Sequence, residues 1–92
     1  MLTEAGATIV QRKKDLDIPG FGIHEMGTAT MGLDPRTSVL NKYNQSHDIP
    51  NLFVTDGSAM ASNGTQNPSL TYMALTARAS HHAAEFLRAG KI

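Results

Sequence analysis

The chain has no cysteine and no tryptophan, only two tyrosines and three phenylalanines, and no excess of charge of either sign. Without cysteine it can build neither a disulfide framework nor a thiolate metal site, and its redox compartment stays open. Eight basic residues against eight acidic ones give a formal net charge of zero. Nothing in that balance draws the chain to nucleic acid or to an anionic membrane. No apolar stretch approaches the roughly 20 residues that span a bilayer. The start, Met1-Leu2-Thr3-Glu4, lacks the basic region and apolar stretch of a signal peptide. With so few large apolar side chains, 92 residues leave little material for a self-sufficient core. The composition reads as a piece of something larger.

Local pattern divides what remains. Leu2 to Val10 can form a short helix with Thr3 as N-cap, although Gly6 weakens it. Gln11 to Asp17 is charged and reads as a solvated surface. Pro19-Gly20 and Asp34-Pro35-Arg36-Thr37 are turn signals, and Ser38-Val39-Leu40 is a possible short strand. Leu52-Phe53-Val54 is the best strand in the chain, continuous and apolar as a buried strand tends to be. From about Ser69 to Ala89 runs a helical pattern without internal Gly or Pro, stopped by Gly90. Leu70, Met73, Ala74, Ala77, Ala84 and Leu87 are its expected buried stripe.

Two short motifs carry candidate chemistry. His24 opens His24-Glu25-Met26-Gly27-Thr28, and a neutral imidazole can accept a proton near physiological pH. A lone histidine also serves as a structural hydrogen-bonder, so both roles stay open. A zinc-protease reading of His24-Glu25 fails, because the second histidine it needs is replaced by Thr28. Asn67 opens Asn67-Pro68-Ser69-Leu70-Thr71, where it can cap the helix with Pro68 at the first helical position. An amide at that place can equally donate to a substrate oxygen. Asp56-Gly57, after the best strand, is a strand-ending turn or a set of backbone N–H groups for a cofactor. A base, an amide and this turn in order suggest a redox site that handles an alcohol. His47, His81 and His82 read as surface residues, and Asn44-Gln45-Ser46 and Asn63-Gly64-Thr65 match the glycosylation triplet only as such short patterns do by chance. Met26 and Met31 flank the candidate base and can shape its pocket.

Taken together, His24-Glu25-Met26-Gly27-Thr28, Met31-Gly32, Asp34-Pro35, Ser38-Val39-Leu40, Asn51 to Ser58 and Asn67-Pro68-Ser69-Leu70-Thr71 resemble the C-terminal region of glucose-methanol-choline (GMC) oxidoreductases. The likeness is greatest to the sugar and sugar-acid dehydrogenase branch that includes the gluconate dehydrogenase flavoprotein subunit. It covers roughly residues 21–86. The resemblance implies an α+β fragment, with one strand of the FAD-domain sheet and a long C-terminal helix. Residues 1–20 would be a connecting segment and residues 21–92 the C-terminal domain. It also implies that His24 is the catalytic base, with Asn67 as its partner on the substrate oxygen. Asp56 and Gly57 would lie beside the ribityl-pyrophosphate portion of FAD, and Asn67, Pro68 and Ser69 near the pyrimidine end of the flavin. The expected partners are a small alcohol or sugar and the portion of the enzyme that holds FAD.

One departure limits the likeness. The family's Gly-x-Gly-x-x-Gly fingerprint, which binds the ADP part of FAD, does not occur in this chain. The chain is therefore expected to be a fragment or split-gene product, inactive alone. The competing expectation is a truncated remnant or small subunit that acts only by binding a partner chain.

Overall fold

The computed structural model describes residues 1–9, 15–16 and 18–92. One long helix, α1 (Ser69–Arg88), supplies most of the regular structure, preceded by a single 3₁₀ turn at Gly57–Ala59. Between residues 30 and 56 the chain is held by three single-residue pairings: Met31 with Leu40, Leu40 with Ser46, and Gln45 with Phe53. Leu40 stands at the centre of this network and is fully buried. Its N–H donates to the Thr30 carbonyl, and its own carbonyl accepts from the Gly32 N–H.

The predicted strand at Leu52–Val54 is extended but pairs only at Phe53. Its ladder stops at Asn44, whose positive φ of 61° turns the neighbouring chain away. Asparagine tolerates that left-handed backbone better than most residues. Asn44 is fully buried, and its polar groups are satisfied by Val54: its carbonyl accepts from the Val54 N–H and its side-chain amide donates to the Val54 carbonyl. Burial also removes Asn44 as a glycosylation acceptor. The Ser38–Leu40 strand likewise shrinks to pairings at Leu40.

Two turns follow their sequence signals. Ile18 to Phe21 closes with Phe21 donating to Ile18, Pro19 at the second position and Gly20 at φ 82°, the arrangement of a type II turn. Asp34 accepts from the Arg36 N–H and bonds its guanidinium, while its carbonyl accepts from Thr37 and Ser38. The expected N-terminal helix does not form among the described residues, where residues 2–6 are turns: Ala5 donates to Met1 and Ala7 to Leu2, and Gly6, at a φ of 92°, interrupts any continuation. Val10 and most of the charged stretch, residues 10–14 and 17, lie outside the described residues.

Helix α1 differs from its sequence reading at its start and on its faces. Pro68, not Asn67, occupies the cap position and makes no side-chain cap bond. Asn67 lies one residue earlier and is exposed. The face turned to the rest of the chain is Tyr72, Leu75, Ala79, His82 and Phe86, with Ala79 buried at the closest approach. Most of the expected stripe faces outward instead: Leu70 is 79 % exposed, Met73 68 % and Leu87 67 %. A small alanine lets the chain approach closely, and aromatic stacking decides the orientation. The His82 ring stacks on Tyr43 at 4.0 Å and lies 4.2 Å from Phe86. His82 is therefore a packing residue rather than a surface one, while His81 does stay exposed and pairs with Glu85. His47 is also drawn inward, its Nε2 within 3.2 Å of both the Ser38 hydroxyl and the Gly32 carbonyl.

Among the described residues Leu40, Ala59 and Ala79 are the buried hydrophobic ones, a small core. The radius of gyration is 18.5 Å, against about 12 Å for a compact domain of this length. No helix among the described residues is long and apolar enough to cross a membrane.

The end of α1 gives a direct test. Lys91 donates to the Phe86 carbonyl and Gly90 to that of Leu87, with Gly90 at φ 65°, the geometry of a Schellman cap. Nothing lies within 4 Å of a Cβ added there, so the backbone angle alone sets the cost. Gly90→Ala should destabilise the helix end by about 1 kcal/mol, read as a lower thermal midpoint by circular dichroism. An unchanged midpoint would contradict the cap.

Candidate active site

The segment that carries His24 follows the turn at Pro19-Gly20 and bends at Ile23 and His24. Ile23 is exposed and His24 half-buried. Glu25 turns back to accept from the Gly22 N–H at 3.0 Å, so it is occupied locally and not paired with the imidazole. Past Met26 the backbone enters two unusual residues, Gly27 at φ 80° and Thr28 at φ 132°. A β-branched residue in that region is strained, at a cost of about 1–3 kcal/mol. Such strain persists only where surrounding contacts over-determine it, and here they do. Met31 donates to the Ala59 carbonyl, and Val39 and Leu40 both donate to Thr30.

Those contacts bring the first motif against the second. Asp56 caps the 3₁₀ turn, its carboxylate accepting from the N–H and hydroxyl of Ser58. At Gly57 three groups converge. An added Cβ would lie 2.8 Å from the Glu25 carbonyl, 2.8 Å from the Tyr72 hydroxyl and 3.3 Å from the Met26 sulfur. Tyr72 closes the arrangement from the first turn of α1 by donating to the Met26 thioether at 3.6 Å. A Cβ at Gly27 would reach the Ala61 carbonyl only at 3.9 Å, so the loop leading to Asn67 also runs beside the His24 segment. Pro68 is buried under the start of α1, while Asn67 and Ser69 on either side are exposed.

The structure thus assembles the segments that hold His24, Asp56-Gly57 and the start of α1. It does not bond His24 to Asn67: among the described residues neither side chain makes a hydrogen bond, and both remain open to an added molecule. Two clefts lie elsewhere. One, of about 290 Å³, is lined by Met31, Gly32, Leu33, Lys42 and Arg78, and one of about 250 Å³ by Phe53, Thr55, Thr76, Ala79, Ser80 and Ala83. Met31 therefore shapes a different cleft from the one expected, and its sulfur meets Arg78 at 3.7 Å. No cluster of groups able to hold a metal ion occurs among the described residues.

Asp56 and Gly57 fit part of a flavin cofactor. The Asp56 carboxylate is exposed and held below its ordinary value of 3.8, first by the Ser58 hydroxyl and then by the Ser58 N–H. An ionised acid can accept from the hydroxyls of a ribityl chain but repels phosphate oxygens. The Gly57 N–H, without an acceptor among the described residues, is the single donor the turn leaves free. Neutralising a pyrophosphate requires donors beyond this turn, and the sequence lacks the glycine fingerprint that would supply them.

Sequence reasoning missed Tyr72, Asn44 and Arg78. Tyr72 was legible in one respect, since it lies one helical turn after the buried Pro68 and on the same side. Asn44 and Arg78, whose side chains meet at 3.5 Å, carry no signal in a single sequence beyond asparagine's tolerance of a positive φ.

Comparison with known proteins shows the family of the chain. The family model described as GMC oxidoreductase, C-terminal, matches residues 10–76. The chain is 48% identical over 64 residues to a 2-methyl-1,2-propanediol dehydrogenase of Mycolicibacterium austroafricanum, covering 70% of this chain and 12% of that protein. It is 43% identical over 67 residues to the fructose dehydrogenase large subunit of Gluconobacter japonicus, covering 73% and 12%. It is 47% identical over 53 residues to the gluconate 2-dehydrogenase flavoprotein of Pantoea cypripedii, covering 58% and 9%. The chain therefore spans only a small part of the curated relatives it matches.

Two outcomes test the site's construction. Gly57→Ala should destabilise the chain by about 1–3 kcal/mol, because two of the three contacts are too close for a methyl group; a thermal midpoint within error of the parent would contradict the convergence. The depressed Asp56 value makes a stabilising contribution that is complete above pH 3.8 and is lost as pH falls through the lower folded value. The thermal midpoint should fall below pH 3.8, and fall less in Asp56→Asn. Asp34, held low by the Arg36 guanidinium and N–H, adds to the fall in both proteins, so the difference between them reads Asp56. Equal falls would contradict the cap.

Proposed function

The chain belongs to the GMC oxidoreductase family, and from that membership we propose that it supplies the catalytic base and substrate anchor of an FAD-dependent oxidoreductase acting on the CH–OH group of a sugar, sugar acid or other alcohol. The observation that carries the reading is the convergence at Gly57, which draws the His24 segment and the start of α1 to one turn. The relatives' names cover a diol, a sugar and a sugar acid, substrates with an oxidisable alcohol in common.

Each residue has a defined part. His24, half-buried and free of competing side-chain bonds among the described residues, accepts the proton of the substrate hydroxyl in its neutral form. Asn67, exposed just before α1, donates its amide to the same oxygen and fixes the alcohol's orientation. Bound FAD supplies the hydride acceptor at the flavin N5. Asp56 would accept from ribityl hydroxyls, and the backbone of Gly57, Asn67, Pro68 and Ser69 would help to hold the cofactor.

The apolar outer face of α1 supports the need for further structure. A helix apolar on opposite sides is at home inside a larger protein, and Leu70, Met73 and Leu87 have no cover among the described residues. In this reading they pack against the FAD-binding portion, and turnover requires that portion. The test is co-expression of the chain with the FAD-binding portion of such an oxidoreductase, following alcohol-dependent loss of flavin absorbance. His24→Ala should lower the rate about 100-fold or more with flavin content retained. Unchanged turnover in that variant would remove His24 from the role of base.

A further inference from the structure

The loop from the 3₁₀ turn to α1 contains the only asparagine–glycine pair in the sequence, Asn63-Gly64. We propose that Asn63 is a site of spontaneous deamidation, a covalent modification independent of the redox reading. The Gly64 backbone nitrogen attacks the Asn63 side-chain carbonyl. One C–N bond forms as another breaks, ammonia leaves, and a cyclic imide results. One water then opens the imide to aspartate or isoaspartate, and no electron is transferred.

The reaction needs a free side-chain amide, an unbonded following N–H, and no side chain on the next residue to block ring closure. The other asparagines each fail one of these requirements. Asn41 is engaged at both ends, accepting from Tyr43 and Gln45 and donating to the Gln45 side chain. Asn44 is fully buried and bonded to Val54. Asn51 precedes Leu52, whose N–H is donated to Ile49. Asn67 precedes Pro68, which has no N–H. Asp56-Gly57, the acidic counterpart, is excluded as well: its carboxylate is ionised and held by Ser58, and Gly57 is enclosed by Glu25 and Tyr72. Asn63 and Gly64 are both exposed, and among the described residues neither the Asn63 side chain nor the Gly64 N–H makes a hydrogen bond. An exposed loop without backbone bonds can also swing into the ring-closing geometry.

The product changes the loop in two ways. It adds a negative charge two residues from Ala61, which runs beside Gly27, and isoaspartate lengthens the backbone by one atom on the way to Asn67. Because the Gly64 N–H must lose its proton, conversion accelerates as pH rises.

The test is incubation of the 92-residue chain at about 37 °C and mildly alkaline pH, with peptide mapping by mass and enzymatic methylation of isoaspartate. Conversion should map to Asn63, run faster there than at any other asparagine, and slow sharply in Gly64→Ala. That variant is mild, since its Cβ would meet only the flexible end of Gln66, at 3.2 Å. Asn63→Gln should remove the signal at this position, so failure of one variant to fold leaves the other decisive. Earlier conversion at another asparagine, an unchanged rate in a folded Gly64→Ala chain, or no conversion over a time in which the denatured chain converts would overturn the proposal.

Discussion

The absence of a side chain at Gly57 is the constraint on which the rest of the site depends. Two segments distant in sequence meet in the space a Cβ would fill: Glu25-Met26, through the Glu25 carbonyl and the Met26 sulfur, and α1, through the Tyr72 hydroxyl. The Asp56 cap fixes the turn, and Tyr72 bonds across to Met26. Only with the turn that close can the His24 segment lie beside the start of α1. The strained Thr28 backbone, immediately after Gly27, belongs to the same closure. Its unfavourable angle is held in place by the contacts of Met31 and Leu40 beyond it.

This geometry has little core beneath it. Leu40, Ala59 and Ala79 are small or single, and aromatic stacking around His82 provides much of the remaining packing. The His82 Nε2 is buried without a partner among the described residues, a polar atom that the packing tolerates rather than uses. The outward apolar face of α1 completes the contrast: Leu70, Met73 and Leu87 are presented to the surroundings, while the inward face is fully buried only at Ala79. Both features agree with membership of a family whose proteins are far longer than this chain.

Local signals were legible where the chain determines its own conformation. Pro19-Gly20 and Asp34-Pro35 became turns, and the helical pattern ended at a glycine with a positive φ, because those angles and capping bonds are set within a few residues. Contacts between distant segments were not legible. Leu52–Val54 looks like a buried strand by hydropathy, yet a ladder needs neighbours and Asn44 turns the adjacent chain away. The buried stripe of α1 was misread for a related reason: hydropathy ranks Leu70 and Leu87 above Ala79, while close approach favours alanine. His24, Asn67 and Asp56-Gly57 stood out by motif, but Tyr72, which joins Met26 to the Gly57 turn, appears only once the segments are folded together.

Proton–proton contacts measured by NMR in the 92-residue chain test the role of Gly57 most directly. Cross-relaxation is expected from the Gly57 α-protons to the Tyr72 ring, and from the Tyr72 ring to the Met26 methyl group. Both should disappear together in Gly57→Ala. A well-folded α1 lacking these contacts in the parent chain would contradict the claim that Gly57 joins the His24 segment to the start of the helix.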